Sequence, residues 1–547
     1  MTDQQPLSRR AAKQAAGDAR KTARNSKARP ASVDPADGGS GGPDGPRSKK
    51  TGLTQRQRTT LIATALGVVF VMLSAGAVYA GAQVGSQPEA APPLDEPIEK
   101  RLIPLDIAQP AALRTCSVGE LAENARLGVF AGSVINARTG EVLFDRAGEA
   151  GAAPGDLVKV LTGVAAIASL GPDFQFSTRV YAGSEPGSIV LVGSGDPTLS
   201  RLTSGESLYR GAPKLSSLAA ATKTQWNAVN PPTVIPGATL PPADPEDPED
   251  PEEPTPSPSP STAPDTIVEQ PITKIYYDTA VWSSADIWNA DWDSSALTAG
   301  SVPRVVPLMI DGDRADPNSL SSARSTDPAL RAARTFASAL GLNPDVISVT
   351  PGSVAPGATL LGEVKSQPVH VLVRYMIAAN DNTLAEMLAR KVSSEAGLNG
   401  SAASLNQVIP GAVAQLGLDG SQISVVDGSG LSPRSTVSPR LMAKLMAELA
   451  EETGHQLAVY EPLPVAGESG SLASRFVGAN EAARGHIKGM AGAISTARTL
   501  AGLIEAEDGT LLAFAFYALG SVDANAAAAI DSLAAAVYTC GNNLSNY

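Results

Sequence analysis

The sequence predicts a mixed α/β (α+β) domain outside the membrane, preceded by one transmembrane helix. Three observations point there. An uncharged apolar run, Leu61–Ala82, is long enough to cross a bilayer as a helix. A strand hairpin followed by a helix opens the part after it. A second hairpin capped by an Ala-rich helix closes the chain, so the sheet uses both ends of one domain.

Composition narrows the function classes. Hydrophobic residues make up 43% and charged residues 18% of 547, as suits a folded chain of several domains. The net charge of −13 excludes a general nucleic-acid-binding surface. Three His without ligand spacing and two Cys exclude a rich metal site and a dense disulfide scaffold, and no cofactor is expected.

The charge is uneven. Residues 1–60 carry a net +8 and the remainder −21. The first 60 residues, without apolar periodicity, read as a disordered basic cytoplasmic tail. Arg56 and Arg58 precede the 22-residue apolar run, and the next charge is Glu89. The positive-inside rule then makes this a single-pass plasma-membrane protein with a cytoplasmic N-terminus and an extracytoplasmic main domain. The alternative is a cleaved signal peptide ending near Ala77–Ala80. Residues 83–110 read as a stalk.

Val129–Ile135 and Glu141–Phe144 read as a hairpin. A helix starts near Asp156, with Leu157, Leu161, Val164 and Ala168 on one face, and Gly171–Pro172 ends it. Between Pro241 and Pro264 stand ten Pro and seven acids, which predicts an extended, solvated loop over about 240–265. Val369–Met376, Asn382–Arg390 and Val437–Glu451 read as helices. Arg498–Ile504 and Thr510–Leu519 form the closing hairpin, and Ala524–Val537 the last helix. Cys116 and Cys540 bracket the domain. Outside the cell a disulfide between them is favoured over two buried thiols.

Several stretches, in order, carry a resemblance: Thr139–Leu143 (TGEVL), Leu170–Asp173 (LGPD), Gly193–Leu199 (GSGDPTL), Pro307–Arg314 (PLMIDGDR), Asp427–Ser432 (DGSGLS), Leu463–Gly467 (LPVAG) and Gly470–Leu472 (GSL). Together they resemble the class C, low-molecular-mass penicillin-binding proteins, the D-alanyl-D-alanine carboxypeptidase/endopeptidase family. The resemblance implies a serine β-lactamase/transpeptidase-like fold. Its domain would lie in two parts, 111–199 and 356–547, around a large inserted β-rich region at 200–355.

The family's chemistry needs a nucleophilic Ser with a Lys one helical turn later, a Ser-x-Asn pair, and a Lys-Thr-Gly edge strand that holds the substrate carboxylate. At the first motif Lys159 is present, but Asp156 stands in the Ser position. None of the 14 Lys has Ser, Thr or Cys three residues before it, so no shifted alignment restores the motif. Asp156 is read as a helix N-cap paired with Lys159. The alternative, a carboxylate nucleophile, would form a labile anhydride. At the second motif Asn380 replaces Ser and Asn382 is retained; Asn380 can still bond a peptide, or simply cap the next helix. At the third, the matching residues are Met490, Ala491 and Gly492, with Lys488 two positions earlier on the same strand face. Ser429, in a Gly-rich loop, is read as structural.

The expected function is therefore a membrane-anchored cell-wall protein of this family that has lost acyl transfer. It would act in peptidoglycan binding or regulation, with stem peptides or cell-wall proteins as partners. One alternative is an active carboxypeptidase/endopeptidase with a rearranged site. The other is a pure assembly scaffold.

Overall fold

The computed structural model describes residues 113–237, 264–451 and 454–546, with Met72 alone before them. The basic tail, the rest of Leu61–Ala82, the stalk and nearly all of the Pro-rich loop lie outside the described residues. Among the described residues no helix is long and apolar enough to cross a membrane. The chain divides into Met1–Ala108 and Gln109–Tyr547, and the second unit holds every element below.

The first hairpin pairs β1 (Val129–Asn136) with β2 (Val142–Arg146). Helix α1 (Val158–Leu170) follows. Every residue of α1 from Val158 to Ile167 is buried, not only the one predicted face. The reason is tertiary: α4 (Val369–Ala379), α5 (Asn382–Glu395) and α6 (Ala402–Ala414) surround it.

Near the C-terminus, β8 (Ile487–Ile494), β9 (Ala497–Glu505) and β10 (Leu511–Leu519) form an antiparallel sheet. Ala137 N–H donates to Leu511 O at 2.9 Å, which sets the first hairpin along β10. Strand alternation splits β10 between two cores. Ala513, Ala515 and Tyr517 join a core with α1 and α7 (Pro439–Glu451). Leu512, Phe514 and Phe516 join another with α8 (Ala524–Cys540). A sheet covered on both faces explains why β10 reads as an almost unbroken apolar run. Cys116 and Cys540 are disulfide-bonded, with Cα atoms 5.5 Å apart. Cys116–Ser117 also pairs in parallel with Leu544–Ser545, so the first and last described strands of this unit are joined.

A second sheet has the order β7-β3-β4-β5-β6. Its strands are β3 (Ser177–Ala182), β4 (Ser188–Val192), β5 (Lys274–Asp278), β6 (Ser348–Pro351) and β7 (Leu360–Lys365). Helices α2 (Leu215–Val229) and α3 (Pro328–Ala339) share its core. The sheet thus takes two strands from before residue 200 and one from after residue 355. Motif landmarks do not reveal strand partners, so boundaries drawn between landmarks cut across it. With two long helices packed on the sheet, the region between is α/β rather than β-rich.

Candidate functional site

A short 3₁₀ turn, Gly155–Leu157, leads into α1 and seats Asp156. Two neighbours close on this turn. On one side lies the loop Asp427–Gly430. Gly430 has φ +82°, and a Cβ there would collide with Gly155 O. On the other side lies β8. A Cβ at Gly492 would stand 2.9 Å from Asp156 N and 3.1 Å from Pro154 O, so only glycine lets the strand come this near. Thr499 Oγ1, on β9, donates to Pro154 O at 2.8 Å and ties the turn to the sheet.

Lys159 is fully buried. Its Nζ donates to Asp156 Oδ1 at 2.7 Å and to Ser429 O at 2.8 Å. Asp156 is 6% exposed, and its Oδ2 accepts the Ala493 N–H at 2.8 Å. The predicted pairing of Asp156 with Lys159 is therefore present in the structure, one helical turn apart. The predicted cap is not: α1 has no side-chain cap, and the second carboxylate oxygen crosses to the free edge of β8. At that edge the Gly489 N–H likewise turns outward, to Pro464 O at 2.9 Å. Thr162 Oγ1 donates to Gly428 O at 2.7 Å, so α1 grips the loop twice.

Asn380 does not cap the helix that follows it. It ends α4 in the left-handed region, at φ +54°, which Asn tolerates better than most residues. The cap of α5 is Asp381, whose Oδ1 accepts the N–H groups of Thr383 at 2.8 Å and Leu384 at 3.1 Å. Asp381 Oδ2 accepts from Arg314 Nη2 and from Tyr209 O–H, each at 2.9 Å. Asn382 opens α5 and donates from Nδ2 to Ser301 O at 3.1 Å.

Lys488 is not brought to the Asp156–Lys159 pair. It precedes Ala493 by five positions on β8, roughly 17 Å along an extended strand. Its Nζ sits 4.3 Å from the centre of the Tyr460 ring. Burial lowers its pKa, with Glu461 opposing and Arg374 adding to the fall. Met490, buried in the helical core, and Ala491, paired with Leu500, carry neither charge nor hydroxyl and so replace neither the Lys nor the Thr of the family's strand.

Two buried acids organise the loop that receives Lys159. Glu386, on α5, accepts the Ser429 N–H at 2.8 Å. Asp427 accepts from Gly430 N–H at 2.8 Å, Ser432 N–H at 2.7 Å and Trp292 Nε1 at 2.9 Å. Burial pushes the Glu386 carboxyl up to about 7, with Asp427 adding to the rise and Arg390 opposing it. An acid whose pKa is raised by folding stabilises the protein below its unfolded value and loses that contribution as pH climbs through the folded value. The protein is therefore expected to lose stability as pH rises from about 4.5 through about 7. Glu386→Gln should flatten that slope in urea denaturation across this range. An unchanged slope would remove Glu386 as its source.

Sequence spacing pointed to the Asp156–Lys159 pairing, which the structure contains, but not to Ala493, the Ser429 carbonyl, Glu386 or Asp381. The first two act through backbone atoms, which carry no residue signature. The DGSG loop is visible in the sequence, but it meets Lys159 through the Ser429 carbonyl and not through its hydroxyl. Cavities of about 370 and 450 Å³ open against Trp226 and against Arg331, and neither is lined by Asp156 or Lys159. Among the described residues no cluster of three or more His, Cys, Asp or Glu could hold a metal ion.

Residues 115–225 and 307–538 match the model of the D-Ala-D-Ala carboxypeptidase 3 (S13) family. Carboxypeptidase DacB of Mycolicibacterium smegmatis is 29% identical over 505 residues, covering 89% of this chain and 99% of that protein. A carboxypeptidase of Mycobacterium tuberculosis is 29% identical over 470 residues, covering 84% and 92%. The crystal structure of penicillin binding protein 4 from Haemophilus influenzae superposes with a TM-score of 0.57 at 18% identity, covering 77% of this chain and 99% of that one. Because the family match spans more than half of the chain, the chain belongs to the D-Ala-D-Ala carboxypeptidase 3 (S13) family.

Proposed function

We propose that this protein is a non-acylating member of its family. It is anchored in the plasma membrane through Leu61–Ala82 and works outside the cell in peptidoglycan binding or regulation. Stem peptides or cell-wall proteins are its partners. The observation that carries the reading is the pair at the head of α1. Lys159 donates to a carboxylate and a carbonyl, where an acylating site needs a hydroxyl. Attack by the Asp156 carboxylate would give an anhydride, a poor substitute for an acyl ester. Ser429, whose carbonyl touches Lys159, is itself fully buried, so its hydroxyl faces no solvent from which a substrate could reach it. Lys159 and Asn382 persist as the framework of the family's site, without the groups that use it.

A functioning site would need several groups at once, because such groups act as a unit. Asp156→Ser is therefore expected to stay about 10³-fold or more below a Ser-x-x-Lys relative in release of D-Ala from a stem-peptide substrate. Full recovery would show that Asn380 and Met490 are adequate replacements and that the wild type lacks only a nucleophile; the reading of an active enzyme with a rearranged site is tested instead by covalent labelling of the wild type with a fluorescent penicillin. Retention of the purified protein on isolated peptidoglycan supports the binding role. Passage without retention supports assembly with protein partners instead.

A further inference from the structure

The carboxylate of Asp156 does more than pair with Lys159. Its two oxygens take a buried ammonium on one side and an outward-facing strand N–H on the other. Those are two donors of opposite origin, one a charge on α1 and one a backbone group of β8, aimed at a single small anion. The surrounding backbone is fitted to that arrangement. Gly492 and Gly430 let β8 and the 427–430 loop close on the turn, and Thr499 and Thr162 fasten both sides. Only 6% of Asp156 is exposed, so the anion is almost wholly enclosed.

We infer that Lys159 Nζ and the Ala493 N–H form an anion-binding site for a carboxylate group, and that Asp156 is its internal ligand. The site is built but closed by the chain itself. A carboxylate or other small anion from outside can bind only by displacing Asp156, which is part of the chain and loses no translational entropy on binding. The inference rests on the non-acylating reading above and adds what fills the site in that state.

The test is to remove the tethered ligand and offer a free one. Asp156→Ala deletes the carboxylate and leaves room for formate. The thermal midpoint of this variant is expected to rise with sodium formate, by about 3–5 °C at a concentration 100-fold above the dissociation constant, against sodium chloride at equal ionic strength. The wild type, already filled, and Asp156→Ala/Lys159→Met, which lacks the cation, should respond equally to the two salts. If Asp156→Ala folds only with formate present, that is the same result in stronger form. A variant that behaves identically in formate and chloride, or that fails to fold in both while Asp156→Ser folds and is also indifferent, overturns the inference. Either outcome leaves β-lactam labelling of the wild type unaffected, so this failure and that of the non-acylating reading are separable.

Discussion

Replacing Lys159 by Met is expected to destabilise the protein by about 3–5 kcal/mol. The ammonium is fully buried, and its partner Asp156 is 6% exposed. Each charge is tolerated there because the other lies 2.7 Å away. Removing one leaves the second desolvated, with only the Ala493 N–H to compensate it. The Ser429 carbonyl also loses its donor. Asp156→Leu alone should cost a similar amount, since it strands the ammonium instead. The double variant Asp156→Leu/Lys159→Met should be markedly less destabilised than the sum of the singles, because it buries no unpaired charge. Urea denaturation of the four proteins measures this. Additive losses would show that the two side chains do not depend on each other.

Arg314→Leu should cost a similar amount, about 3–5 kcal/mol, for a related reason at a different place. Arg314 reaches from the segment between α2 and α3 to the start of α5. There it donates to Asp381 Oδ2 at 2.9 Å and to Tyr209 O–H at 2.6 Å, with its guanidinium 5.0 Å from the centre of the Tyr209 ring. Asp381 is buried, which alone would raise its pKa. Arg314, the Leu384 N–H and Tyr209 together outweigh burial and hold it below the ordinary carboxylate value. A depressed acid stabilises the fold above its unfolded pKa and loses that contribution as pH falls through the folded value. Arg314→Leu should therefore erase stability at neutral pH and narrow the gap between neutral and strongly acidic conditions. It should also loosen the head of α5, because Asp381 is the cap of that helix. Hydrogen exchange at Thr383 and Leu384 reads this directly. Unchanged protection there, with unchanged stability, would mean that Arg314 does not hold the cap.

Much of the framework was legible because it follows from period. Strands β1, β2, β9 and β10 alternate or run apolar, and α4, α5, α7 and α8 repeat every three to four residues. The pair Asp156–Lys159 was legible for the same reason, since i and i+3 share a helix face. Contacts between distant segments left no such trace. Ala493 lies 337 positions from Asp156 and Ser429 lies 270 from Lys159. Both contribute backbone groups that any residue carries. Asn380 misled because Asn favours both a helix cap and the left-handed region; Asp381, one position on, took the first role and left Asn380 the second. The inserted region misled because strands on both sides of it join one sheet, and pairing partners are not written in composition.

No side chain in this protein is expected to take an acyl group from the chemistry its family uses. Purified protein incubated with excess benzylpenicillin, beside a Ser-x-x-Lys relative, and weighed by intact mass spectrometry tests it directly. The relative should gain the mass of one ring-opened penicillin, while this protein keeps its own mass. A stable adduct on this chain, mapped by peptide digestion to any residue, would contradict it.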